Sequence, residues 1–340
     1  MITVFGLLFL TGVSALSCAL YRHLALRWNI VDEQNHRTFH DGIVPRGGGI
    51  VFIALGLLVL MFGSIWWPPE QPLIWSAALL GGWIIWGVGL IDDIRDLGVR
   101  LRITAHATTM ILVMLPCLTH PSIAGIPTVW ILALFALGLI GGIWTINLYN
   151  FMDGIDGIAA TQGIVILAAC GISAWFLGLP LWPLICAVLA ALLAGFLFLN
   201  KPKALLFMGD AGSGALGYMV AVLIGFGALE NLALGAAAFI SVASFSLDAT
   251  LTLTRRALAG EDLSEPHRSH IYQRLAQYLG SHARLLGVWH IWSAICLLPL
   301  SIASAASLMH PITAVLLAYG LTTTLWGVLY WALPQPPKKP

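Results

Sequence analysis

Residues 128–157 read TVWILALFALGLIGGIWTINLYNFMDGIDG. From Thr128 to Asn147 no side chain is charged, and the run matches the roughly 20 apolar residues that a bilayer core demands of a helix. Polar groups then arrive at once. Asn147, Asn150, Asp153 and Asp156 step by three and share one side of any continuing helix. Purely structural needs do not explain two amides and two carboxylates at the end of a span. Gly154 and Gly157 allow a tight turn or a close ligand approach.

Working outward, the same pattern recurs. Of 340 residues, 59% are hydrophobic and only 9% charged, against about 25% charged in a soluble domain. So much apolar surface needs lipid as its solvent. Eleven segments are predicted to span: 2–20, 49–66, 73–91, 102–118, 128–147, 158–178, 181–199, 214–229, 232–254, 285–304 and 312–333. The expected fold is an all-α polytopic helical bundle, one integral membrane domain over 1–340. No clear internal repeat is visible. The five cysteines lie in apolar stretches without metal-ligand spacing, so neither disulfides nor a cysteine metal site is expected. No Lys or Arg precedes the first apolar run, so no secretory signal is expected there.

Charge sets the orientation. All 16 Lys and Arg residues fall in or beside the loops 21–48, 92–101, 148–157, 200–213 and 255–284, or in the C-terminal tail. The positive-inside rule makes that side cytoplasmic, with the N-terminus outside and the C-terminus inside. Only Glu70 and Glu230 among the acids fall on the other side. Ionised groups cost about 2.5–3.5 kcal/mol each at a span centre, so carboxylates gathered at one depth mark a site.

Four further clusters lie on that side. Asp92 and Asp93, with Asp96, end the third span, and Arg102 follows. Adjacent carboxylates suit a hard divalent cation. Gly209, Asp210, Ala211, Gly212 and Ser213 open the eighth span, where helix N–H groups favour anions. His267, Arg268 and His270 form a late basic loop suited to phosphate. Asn35, Arg37, His40 and Arg46 precede a triple glycine at 47–49.

In this order, the motifs resemble those of the polyprenyl-phosphate N-acetylhexosamine-1-phosphate transferases, glycosyltransferase family 4. The resemblance runs from about residue 30 to 284, and Asp248 matches an aspartate these enzymes often carry before the late loop. It implies transfer of a sugar-1-phosphate from a UDP-sugar to polyprenyl phosphate, release of UMP, and dependence on Mg²⁺, with Mn²⁺ as a substitute. Asp210 and Asn150 would be the metal ligands. Asp92 and Asp93 would lie near the reacting phosphates, with Asp153 and Asp156 on the nucleotide side, and these four are the candidate catalytic residues. Asn35, Arg37, His40, Arg46, Arg102, Asn147, Gly212, Ser213, His267, Arg268 and His270 are the candidate substrate-binding residues.

The late loop lacks the three successive histidines of the muramoyl-pentapeptide transferase. It is closer to the branch that initiates O-antigen and other surface glycans. The expected setting is the bacterial inner membrane. A homodimer is compatible with the sequence, and no nucleic-acid partner is expected. The rival class is a transporter or flippase of a lipid-linked substrate, which should place charge at mid-membrane and show repeats.

The topology is directly testable. A single cysteine replacing Glu70 or Glu230 should react with a membrane-impermeant thiol reagent on intact cells. One replacing Lys201 or Lys338 should react only after permeabilisation. The reverse pattern overturns the orientation.

Overall fold

In the computed structural model, residues 4–28, 30–32, 44–95, 97–262 and 267–334 are described. Asn35, Arg37, His40, Asp96, Lys338 and Lys339 lie outside them. The chain runs α1 (Val4–Arg27), β1 (Val31–Asp32), β2 (Val44–Pro45), α2 (Gly48–Trp66), α3 (Pro72–Arg95), α4 (Val99–Cys117) and α5 (Thr128–Phe151). It continues with α6 (Ile158–Phe176), α7 (Leu181–Asn200), α8 (Asp210–Glu230), α9 (Leu232–Ser241), α10 (Ala243–Leu258) and α11 (Ile271–Leu279). α12 (His282–Trp292), a π-turn and α13 (Leu298–Ala305) form one rod, and α14 (Pro311–Ala332) ends the fold. The two short strands pair antiparallel, Val31 opposite Pro45.

The all-α expectation holds, and each of the eleven predicted spans falls on a helix, the α9–α10 pair or the α12–α13 rod. Among the described residues, nine helices are long and apolar enough to span, or ten if α9 and α10 form one broken span. Besides that bent pair, the predicted span that misses this test is α4. It is 19 residues long and packs between α3 and α5, but Arg100, Arg102, His106 and Thr109 dilute its apolarity. His106 and Thr109 are buried, so the helix turns polar groups inward.

Burial sorts the helices. α6 and α8 are innermost, whereas α1, α5 and α14 expose apolar faces such as Phe5, Leu8, Leu134, Leu137 and Leu316. Between apolar helices in lipid, close packing of small residues holds the bundle together. The tightest approach joins α2 to α8. A Cβ on Gly49 would lie 2.2 Å from Gly212 Cα, and one on Gly89 of α3 would lie 2.5 Å from Ala211 Cα. Gly48 and Gly49 also donate backbone hydrogen bonds to Phe207 and Met208 carbonyls at 2.9 and 2.8 Å. The triple-glycine loop is thereby sewn to the segment that leads into α8.

α9 and α10 meet at a bend of 58°. A broken helix frees backbone groups that lipid cannot satisfy. Gln162 of α6 meets one of them: its amide donates to Ser241 O at 2.7 Å, and its oxygen accepts from Trp289 Nε1 at 3.2 Å.

Gly49→Val should lower the apparent Tm in detergent, because the added atoms meet backbone that cannot yield, an overpacking of about 1–3 kcal/mol. Gly87→Ala on α3, whose Cβ would meet nothing within 4 Å, serves as the control. Equal melting of the two variants would rule out a packing role for Gly49.

Candidate active site

Adjacent residues on a helix point about 100° apart, so Asp92 and Asp93 at the end of α3 serve different neighbours. Asp93 faces α8. Its two oxygens accept from Asp210 N at 2.9 Å and Ala211 N at 3.1 Å. These are first-turn N–H groups that the helix cannot satisfy itself. Asp93 is therefore an N-terminal cap supplied by another helix. The Arg46 guanidinium donates to the Asp93 carbonyl, and Tyr21 OH donates to Arg46 O at 2.9 Å. Arg46, one of the expected substrate-binding residues, thus closes the end of α3.

Asp92 faces the other way, into a cavity. It accepts from Arg102 Nη1 at 2.9 Å and from Leu97 N at 2.5 Å, and it shares the cavity lining with Asp210. Asn150 at the end of α5 donates to Asp210 Oδ1 at 2.6 Å. The polar lining of the cavity comprises Asp92, Arg102, His106, Asn147, Asn150 and Asp210, over a floor that includes Ile85 and Ile146. Four helices, α3, α4, α5 and α8, contribute.

The structure divides the remaining candidates. Gly212 is packed on Gly49, and Ser213 is buried with its hydroxyl on Gly209 O at 3.3 Å. Neither lines the cavity, whereas Gly214 does. Asp156, one of the expected catalytic residues, clasps neighbouring segments. Its Oδ2 accepts from Lys203 N at 3.1 Å and Ala204 N at 3.2 Å and pairs with His282 Nδ1 at 3.2 Å. Asp153 lies beyond the end of α5. Burial, then the carboxylates of Asp210, Asp93 and Asp156, hold its pKa well above the usual range.

The late loop is docked on the α5–α6 turn. Tyr272 OH donates to Phe151 O at 3.1 Å. Asp248 of α10 repeats the device of Asp93: its oxygens accept from Ile271 N and Tyr272 N, both at 2.9 Å, capping α11. His270 is buried beside it, Nδ1 to Oδ1 3.7 Å. The His267 and His270 rings lie 4.9 Å apart, and Ser269 Oγ sits 2.9 Å from His267 Nδ1. Arg268 is half-buried beside them.

His106 escaped the sequence reading. It stands four residues after Arg102, so both share one face of α4. That spacing was the available signal.

Among the described residues, no three His, Cys, Asp or Glu side chains gather tightly enough to hold an ion alone. The donor set still suits magnesium. Asp92 and Asp210 are hard oxygen ligands lining one cavity, with the Asn150 amide adjacent. Mg²⁺ typically takes one or two carboxylates and completes its shell with substrate phosphates and water.

A family model described as glycosyl transferase family 4 matches residues 75–227. That stretch contains every polar residue of the cavity. A probable undecaprenyl-phosphate N-acetylglucosaminyl 1-phosphate transferase of Bacillus subtilis is 30% identical over 276 residues, 77% of this chain and 74% of the relative. The decaprenyl-phosphate N-acetylglucosaminephosphotransferase of Mycobacterium tuberculosis H37Rv is 30% identical over 306 residues, 81% of this chain and 76% of the relative. The undecaprenyl-phosphate alpha-N-acetylglucosaminyl 1-phosphate transferase of Salmonella typhi is 28% identical over 321 residues, 91% and 85%. The chain belongs to glycosyl transferase family 4. Within this family-4 chain the cavity is the candidate active site, because its side chains come from all three acidic and amide motifs.

His267 gives a pH signature. Burial, with His270 and Arg256 nearby, lowers its pKa from 6.5 to about 4. Between these values the unfolded chain binds a proton that the folded chain does not, so stability falls as pH drops through that window. His267→Gln should flatten the decline of apparent Tm between pH 7 and pH 5. An unchanged slope would show that His267 does not contribute.

Proposed function

We propose that this chain transfers an N-acetylhexosamine-1-phosphate from a UDP-sugar to a polyprenyl phosphate, releasing UMP and a polyprenyl-diphospho-sugar. The observation that carries the reading is the convergence of Asp92, Asp210, Asn150 and Arg102 on one cavity, at the helix ends of an apolar bundle. One reactant is lipid and the other water-soluble, so a site at a membrane boundary suits both. The setting is the bacterial inner membrane with the cavity on the cytoplasmic side, where the Lys and Arg residues concentrate.

An oxygen of the polyprenyl phosphate attacks the phosphorus that carries the sugar. One P–O bond forms, the bridging P–O bond of the diphosphate breaks, and UMP leaves with the electron pair. The nucleophile is a phosphate monoester, largely ionised near pH 7 because its second pKa is about 6. A strong general base is therefore unnecessary. The work of the protein is positioning and charge stabilisation. Arg102, held by Asp92, supplies positive charge beside the phosphates. Asp210, Asn150 and Asp92 would hold the divalent cation. Bound Mg²⁺, or Mn²⁺ in its place, supplies neutralisation of the charge that develops on the leaving phosphate. Asp93 keeps Asp210 in place by fixing the start of α8.

The names of the relatives make UDP-N-acetylglucosamine the first donor to test, and the His267-Arg268-Ser269-His270 loop favours initiation of a surface glycan.

Purified protein with UDP-N-acetylglucosamine, undecaprenyl phosphate and Mg²⁺ should release UMP, and excess EDTA should stop it. Asp92→Asn and Asp210→Asn should each cut kcat by at least about 10²-fold, the scale of losing an electrostatic stabiliser. Their apparent Tm should hold, whereas Asp93→Asn should also lower it. Full turnover in EDTA, or in the Asp210 variant, would sink the assignment.

A further inference from the structure

His106 lies in the cavity, is 8% exposed, and belongs to none of the motifs that led to the site. Its hydrogen-bonding state can be deduced from its neighbours. The carbonyl of Ile143 can only accept. It accepts from Asn147 Nδ2 at 2.7 Å, which fixes the orientation of that amide: nitrogen toward Ile143, oxygen away. The same Nδ2 lies 3.3 Å from His106 Nδ1. An amide nitrogen donates and does not accept, so Nδ1 is the acceptor. The ring is then the neutral tautomer with its proton on Nε2. Among the described residues, Nε2 has no hydrogen-bond partner. Arg102 lies four residues earlier on the same face of α4 and is already engaged by Asp92.

We infer that His106 is a substrate-binding residue of this cavity, its Nε2–H donating to a phosphate oxygen of the substrates while Asn147 holds the ring's tautomer. The inference rests on the transfer reading above. A neutral donor suits this position. Arg102 already brings positive charge, and a second cation beside it would meet repulsion. A uniquely protonated, preorientated N–H instead gives direction, contributing where charge builds on the phosphates and needing no reorganisation.

The test compares His106→Gln, His106→Leu and His106→Met. Gln keeps an acceptor for Asn147 and an N–H near the position of Nε2; Leu and Met keep volume and lose both. With UMP release as readout, Leu and Met should lower kcat/KM by about 10²-fold, the scale of one lost donor to a developing oxyanion. Gln should restore most of it, and apparent Tm should vary little across the set. The pH profile of His106→Gln should match wild type between pH 6 and 9, because a neutral donor contributes no ionisation. An active wild type with Leu and Met variants equal to it overturns this inference alone. So does a Gln variant as poor as Leu, or one that loses a limb of the pH profile. A wild-type protein that releases no UMP overturns the transfer reading and this inference together.

Discussion

The buried carboxylate of Asp93, shared between two backbone N–H groups of α8, is the contact on which the cavity depends. It joins the last turn of α3 to the first turn of α8. Those two helices carry Asp92 and Asp210, so the pairing of the reactive acids follows from the cap. Leaving a buried donor unsatisfied costs about 1–3 kcal/mol, and a carboxylate also complements the positive end of the helix dipole. The glycine contacts that let α2 and α3 come close to α8 make the cap reachable. Gly89 lies against Ala211, and Gly49 lies against Gly212. Asp248 applies the same solution to α11 and so fixes where His267, Arg268 and His270 begin.

The acids therefore fall into two groups that composition does not distinguish. Asp92 and Asp210 turn toward the cavity. Asp93 and Asp248 spend both oxygens, and Asp156 its Oδ2, on backbone N–H groups of other segments. A loop held by a buried carboxylate needs no regular structure of its own, which suits the irregular stretches at 201–209 and 267–270. Holding acids and facing acids are also electrostatically linked. Asp153 feels Asp210, Asp93 and Asp156 together, so charge introduced at any of them is registered across the site.

Most of the architecture was legible because hydrophobic runs and membrane thickness leave few alternatives. The end of α5, with Asn147 and Asn150 on one face, was readable from spacing alone, and both residues do line the cavity. α4 is less apolar than the other spans for a physical reason. A helix that gives Arg102 and His106 to the site cannot also be uniformly apolar. Which of Asp92 and Asp93 faces the cavity was not legible, because it depends on where α8 begins in space. The packing of Gly212 was not legible for a related reason. A glycine before a helix serves an anion or a neighbouring helix equally well, and only the proximity of Gly49 decides between them. His106 was missed because an isolated histidine in an apolar stretch gains meaning only from Arg102 one turn away and from Asn147 on another helix.

The cavity's electrostatics follow from its position at the ends of spans. Two carboxyl groups lining one cavity, Asp92 and Asp210, repel one another unless a cation sits between them. Arg102 offsets one of them, and the Arg46 guanidinium is engaged at a backbone carbonyl. The cluster is thus short of positive charge, and its carboxylates add to the burial that raises the proton affinity of Asp153. A divalent cation supplies that charge but arrives with open coordination positions, which phosphate oxygens fill. Acids, cation and diphosphate therefore stabilise one another more than any pair of them would alone. That mutual dependence explains why the protein commits three further buried aspartates to holding the surrounding backbone: the partners gain from meeting only if the walls that bring them together do not move.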